Sequence, residues 1–414
     1  MVQSNQVARQ GSYWWLMLAS LRYRDFRLVW LGSFTEHLGE FMEIATVLWL
    51  TNELTHSPLM LSIVGSSRYM TMVFMPMIGG VVADRVNRRS MLIIALLGSA
   101  FLSVILAVLT LAGLIAVWHL ITISLVSGIA MSFNHPARQA IVPNLVKREH
   151  LLNAVSLDFI SIYVSLFVSM LIVGYLILIL GTGPIFIIRV AGCFLAIGWL
   201  LMARVPPTPP ATKKQAPWRN LTEGFGYLRV NIIFVSLIVL YLMPRVASVT
   251  YGNFTPVFAN DILRVGAVGY GYLQAAPGLG AILSLIGLTI LTYYKRKVKL
   301  MVIFGIVMGL GLIGFSFSPW LYPSLLLLVI VGAAEAAFGT VNSTIIQGAV
   351  PDKVRGRIMS WREVAFGLGP VGSILFGAIA QYTGVPMSLA LLGVICLLVS
   401  LILILFLPKF RRIE

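Results

Sequence analysis

The feature that most constrains this chain is a series of apolar stretches, each long enough to cross a bilayer. A spanning helix needs about 20 mostly apolar residues. Such stretches recur near 28–50, 59–82, 90–112, 115–138, 153–180 and 184–204, and again near 231–257, 267–292, 300–318, 321–345, 360–382 and 386–408. Residues 324–333 carry no charge. A transmembrane β-barrel alternates apolar and polar residues instead, so helices are the only spanning elements this pattern permits. Of 414 residues, 59% are hydrophobic and 11% charged, against about 45–50% and about 25% in a soluble domain. That leaves too little charge to cover the surface of a soluble enzyme. A disordered chain and a disulfide-stapled module are excluded as well. Cys193 and Cys396 sit in apolar segments without metal-like spacing and read as small buried side chains. The N-terminus lacks a short apolar core followed by a cleavage site, so no removable signal peptide is expected.

The spans divide six and six around a polar segment that holds Pro206, Pro207, Pro209, Pro210, Lys213 and Lys214. The expected units are residues 1–204, a cytoplasmic linker 205–230, and residues 231–414. The net charge of +16 would suit a nucleic-acid partner, but its placement argues for topology. With the N-terminus in the cytoplasm, 26 of the 30 Lys and Arg fall in the two termini and the cytoplasmic connections; only Arg68, Arg189, Arg245 and Arg264 lie elsewhere. This is the positive-inside pattern. It predicts a multi-pass protein of the inner, cytoplasmic membrane with both termini cytoplasmic, and no nucleic-acid partner.

Two connections resemble each other. Gln139-Ala-Ile-Val142-Pro143-Asn144-Leu-Val146 follows the fourth span, and Gln347-Gly-Ala-Val350-Pro351-Asp352-Lys-Val354 follows the tenth, 208 residues later. The same offset carries Arg88-Arg89 onto Arg296-Lys297. Two matches at one offset predict duplication of a six-helix unit, the pattern of transporters that rock around a midplane site.

The segment Gly80-Val-Val-Ala-Asp84-Arg85-Val-Asn87-Arg88-Arg89 joins spans two and three. It resembles the loop signature of the major facilitator superfamily, with Asn87 where glycine is usual. Asn tolerates left-handed backbone, which would preserve the turn. The second-half segment with Thr344, Gln347, Pro351, Asp352, Arg355-Gly356-Arg357 and Ser360 is similar to the branch of macrolide and enterobactin exporters, as is the stretch from Trp218 to Arg229. Exporters often carry Gly-Pro in helix five; this chain has none between Ser161 and Gly174, a departure that bears on antiport. The resemblance implies an all-α integral membrane protein of 12 transmembrane helices in two six-helix pseudo-symmetric bundles, the major facilitator fold. It also implies that helices one, four, seven and ten line the cavity. Gly80, Asp84, Arg85, Arg88 and Arg89 would latch one conformation, or serve only as a positive-inside cluster that meets lipid phosphates.

Charge inside a bilayer is costly and usually functional. Helix one carries Glu36, Glu40 and Glu43, with His37 beside them. The i, i+4, i+7 spacing places the three acids on one face, roughly 13, 20 and 24 Å beyond Arg27 at about 1.5 Å per residue. Such a stripe must line water, bind cations or be protonated, and it titrates as a set. Glu40, at mid-depth, is the expected proton carrier. Glu335 in helix ten and Arg245 in helix seven join the candidate cavity. Arg68 in helix two lies at a similar depth, either as part of that cavity or as an ion pair locking helices one and two. Four deep acids against two deep arginines predict a negative cavity that favours neutral or cationic amphiphiles. A lone histidine makes no metal site, and no metal or cofactor is expected. No Gly-x-x-x-x-Gly-Lys-Ser/Thr loop is present, which argues against ATP drive.

Together these features predict a monomeric secondary exporter, not an enzyme, whose partners are a small-molecule substrate, protons and membrane lipids. It would move amphipathic organic compounds by proton-coupled alternating access. Export of a siderophore or another anionic metabolite is the alternative within transport. A non-transporting scaffold or receptor is the alternative outside it.

Overall fold

The structure is a computed structural model that describes residues 19–83, 87–205, 232–290, 296–350 and 352–410. Twelve helices of 20 to 32 residues dominate the described residues. They are α1 (Arg24–Thr55), α2 (Pro58–Ala83), α3 (Arg88–Leu111), α4 (Val117–Ile141), α5 (Leu151–Leu180) and α6 (Gly183–Met202), then α7 (Ile232–Val257), α8 (Gly266–Ile290), α9 (Lys297–Ser316), α10 (Leu321–Ala349), α11 (Asp352–Thr383) and α12 (Val385–Phe410). At about 1.5 Å per residue, even the shortest reaches roughly 30 Å. Among the described residues, nine helices are both long and apolar enough to cross a membrane. α1 is not one of them, because Glu36, Glu40 and Glu43 interrupt its middle.

The chain turns sharply at one end of the bundle, and the local sequence says why. α1 stops at His56, whose φ of 47° is left-handed, and Pro58 opens α2. α5 stops at Gly181, with φ 77°, and Pro184 stands in the first turn of α6. A left-handed residue closes a helix and a proline starts the next, so each pair forms a tight hairpin. The opposite end carries the basic connections. There Asn87 caps α3: its φ is −58°, and its side chain accepts from the Arg89 N–H at 2.9 Å. Asn87 therefore acts as an N-cap rather than as a left-handed substitute for glycine. Pro244 does not break its helix, since α7 runs through it without interruption.

The halves repeat each other. In the first, α2 packs on α4, α1 on α5 and α6, and α3 on α4 and α6; in the second, α8 packs on α10, α7 on α11 and α12, and α9 on α10 and α12. The 208-residue shift carries the start of α1 onto the start of α7, the start of α2 onto that of α8, and the ends of α4 and α6 onto the ends of α10 and α12. Between the halves, α2 lies on α11 and α5 on α8. This pair of contacts is also exchanged by the same shift of six helices.

Close contacts between the halves gather toward the hairpin end. Ser57 Oγ donates to Gln381 Oε1 at 2.8 Å, Ser66 Oγ to the Pro370 carbonyl at 3.2 Å, and Tyr270 Oη to the Ala45 carbonyl at 2.8 Å. Tyr175 and Tyr272 join their hydroxyls. α5 and α8 touch nearly backbone to backbone: a Cβ at Gly271 would lie 2.6 Å from the Met170 carbonyl oxygen, which only glycine avoids.

Candidate functional site

Among the described residues, a cavity of about 660 Å³ lies between the halves. α5 contributes Phe159 and Tyr163, α7 Arg245 and Tyr251, α10 Glu335 and Gln347, and α11 Arg362. Arg245 and Glu335 stand near the middle of their helices. Gln347 is two residues from the end of α10. The cavity therefore runs from mid-depth toward the end that carries the α4–α5 and α10–α11 connections. The hairpin end beyond it is sealed by the contacts just described.

Glu335 is the carboxylate in this lining. Tyr251 Oη donates to its Oε2 at 3.1 Å, and Ser248 is a second hydrogen-bond partner. Arg245 interacts with it electrostatically. The Arg245 guanidinium lies over the Tyr69 ring at 5.5 Å, and that of Arg362 over the Tyr241 ring at 3.9 Å. Cations held on aromatic faces in this way keep their charge at a modest desolvation cost.

Glu36, Glu40, Glu43 and Arg68 do not join this cavity. They lie in a second cluster inside the first half, and all four are buried. Arg68 reaches Glu40 at 3.3 Å and Glu43 at 2.7 Å. Arg138, from the end of α4, lies 3.5 Å from Glu36 and 2.7 Å from His37 Nε2. Arg189, from α6, donates to the Glu36 carbonyl at 2.7 Å and lies 3.9 Å from Glu43. Asn134 donates to Glu36 at 2.8 Å, and Ser103 to Glu43. Three glutamates thus meet three arginines. Glu40, the expected proton carrier, is salt-bridged, and His37 faces a guanidinium.

Sequence reasoning missed Arg138, Arg189 and Arg362. Arg138 and Arg362 read as part of the positive-inside charge, and Arg189 had no visible partner. The expected negative cavity does not form in this geometry, because the acidic stripe is neutralised inside the first half and the cavity lining holds two arginines to one glutamate. One signal was available. The 208-residue shift sets Arg138 against Ile346 and Arg189 against Leu397, so charge stands where the other half is aliphatic. Of the expected latch, Gly80 falls within α2, while Arg88 and Arg89 begin α3. Arg89 donates to the Leu201 carbonyl at 2.6 Å. Asp84 and Arg85 lie outside the described residues.

Two six-helix bundles around a midplane cavity with buried ionisable residues define a secondary transporter of the major facilitator type. The family profile described as a transmembrane secretion effector matches residues 16–414, and the chain belongs to that family. It is 26% identical to the enterobactin exporter EntS of Shigella boydii serotype 18 over 410 residues, 96% of each chain. Among solved structures it resembles the peptide-transporter-family protein PepTSo, with a TM-score of 0.76, 13% identity, and 95% and 99% of the two chains covered. It also resembles a bacterial homologue of the lysosomal transporter Spinster, described as inward-facing and unoccupied, with a TM-score of 0.72, 16% identity, and 95% and 98% coverage. The chain is thus a multi-pass membrane transporter of small molecules.

Proposed function

We propose that the protein exports an amphipathic organic compound across the inner membrane in exchange for protons, by alternating access and without enzymatic chemistry. The observation that carries the reading is the mid-depth cavity that holds Glu335, with contacts between the halves at its hairpin end. Residues 1–204 and 231–414 are the rocking units, joined by the cytoplasmic linker 205–230. Both termini face the cytoplasm, so the cavity opens inward, and the protein works as a monomer among lipids. Gly80, Asp84, Arg85, Arg88 and Arg89 form the latch at the cytoplasmic surface. Glu335 exchanges the proton, since it faces the cavity, whereas Glu36, Glu40 and Glu43 with Arg68 hold the first half together. One proton falling through 100 mV supplies about 2.3 kcal/mol, enough to drive an uncharged compound roughly fifty-fold uphill. The name of the relatives favours a siderophore as substrate, and the two cavity arginines suit an acidic one.

The test uses everted membrane vesicles energised to an acidic lumen, with acridine orange reporting luminal pH. Naphthalene-2-sulfonate, naphthalene-2-carboxamide and trimethyl(2-naphthyl)ammonium are added in turn, followed by ethidium. At least one should alkalinise the lumen in wild-type vesicles and not in Glu335→Gln vesicles. Equal responses in the two would remove Glu335 from coupling, and no response to any compound would remove proton exchange.

A further inference from the structure

Resting on the cavity as the transport site, we propose a division of labour between the halves. The acid group of the substrate is held by the second half alone: an aromatic organic anion places it between Arg245 and Arg362. The matching space in the first half is closed by ion pairs.

The internal repeat carries the first part. The 208-residue shift sets Glu36, His37, Glu40 and Glu43 against Pro244, Arg245, Ser248 and Tyr251. All four of the latter line the cavity. The same face of the first helix in each half is therefore buried against charge in one half and open in the other. The arginines that fill the first half are Arg68, Arg138 and Arg189, whose counterparts are Ala276, Ile346 and Leu397. With small or aliphatic residues there, these three positions put no charge into the second half. Around the first-half acids, the opening bounded by Glu36, Glu40 and the three arginines is only about 10 Å³, about the room of a single water. A cavity of about 660 Å³ falls in the usual range for small organic ligands, about 300–1,000 Å³.

The lining carries the second part. Two guanidinium groups and one carboxylate give the wall a net positive charge, and a cleft with low-dielectric walls concentrates ions of the opposite sign. Tyr69 and Tyr241 cover guanidinium faces, whereas the N–H donors lie in the guanidinium plane. Ring stacking therefore does not cover the edge on which a guanidinium meets the two oxygens of an acid group. Phe159 and Tyr163 on the facing α5 supply ring contacts. Glu335 is already bonded by Tyr251 and Ser248. A cation in the cavity would meet Glu335 only with two arginines as neighbours.

Three radiolabelled probes share one ring system and differ only in charge: naphthalene-2-sulfonate, naphthalene-2-carboxamide and trimethyl(2-naphthyl)ammonium. Their Kd values are measured by equilibrium dialysis against the full chain in lipid nanodiscs, with empty nanodiscs subtracted. The sulfonate should bind at least tenfold more tightly than the ammonium probe. Arg362→Gln should weaken the sulfonate about tenfold and leave the carboxamide within twofold, and Arg362→Lys should restore part of the loss. A misfolded Gln variant leaves the wild-type ranking and the Lys variant to decide. Equal binding of all probes, preference for the ammonium probe, or no sulfonate binding overturns the proposal. Selective sulfonate binding without vesicle alkalinisation by any compound would keep this site and refute proton-coupled export.

Discussion

Arg189→Leu tests whether the first-half ion cluster is a structural unit. Leucine is the residue that the second half carries at the matching position, Leu397, so the substitution changes charge at tolerable volume. Arg189 is 2% exposed, donates to the Glu36 carbonyl at 2.7 Å and lies 3.9 Å from Glu43. It also packs against α1 where Gly39 leaves room: a Cβ there would come within 2.9 Å of Arg189 Cδ. Without Arg189, three buried carboxylates face two guanidinium groups. Removing one partner of a buried pair leaves an uncompensated charge and costs about 3–5 kcal/mol. Unfolding by sodium dodecyl sulfate titration in mixed micelles should show a loss of that size. Adding Glu43→Gln removes one excess charge, so the double variant should be more stable than the sum of the singles by at least ~1 kcal/mol. A single variant within about 1 kcal/mol of wild type, or a cycle additive within about 0.5 kcal/mol, would refute the network as a stabilising unit.

Three further outcomes follow from local geometry. Gly332→Leu places a Cβ against the Pro277 backbone carbonyl on α8, which cannot rotate away; overpacking of about 1–3 kcal/mol or more is expected in the same titration. Asn87→Ala removes the cap on α3 and should cost about 1 kcal/mol, read as roughly fivefold faster amide exchange at residues 89–91, with Asn87→Asp close to wild type. Cysteines at Ser57 and Gln381, whose side chains already meet at 2.8 Å, should crosslink readily in this state. The crosslink should abolish transport, and reduction should restore it.

The fold is legible because hydropathy writes each span separately and the basic residues mark alternate connections. The duplication was visible in two short matches, and the helix ends follow the same offset. The acidic stripe on α1 was legible for the same reason: three charges on one helical face need no tertiary knowledge. Its partners were not, because Arg138 and Arg189 reach it from α4 and α6, and no periodicity links residues about 100 and 150 positions apart. The positive-inside rule also hid Arg138, three residues from the end of α4, and Arg362, which stands at the start of the expected span 360–382 but ten residues inside α11. The charge of the cavity was therefore misjudged, while Glu335 and Arg245, expected there because the resemblance implies that helices seven and ten line the cavity, share one lining.

Alternating access itself is tested most directly by two spin-label distances measured on one sample by double electron–electron resonance. One pair, Ser57 with Gln381, spans the sealed hairpin end. The other, Leu152 with Gln347, spans the mouth of the cavity between α5 and α10, where both residues are exposed. In nanodiscs the first pair should be short and the second long. With naphthalene-2-sulfonate added over a range of pH, a second population should grow in which the first distance lengthens as the second shortens. Two distances that stay fixed under every condition, or that lengthen together, would contradict a transporter that rocks about this cavity.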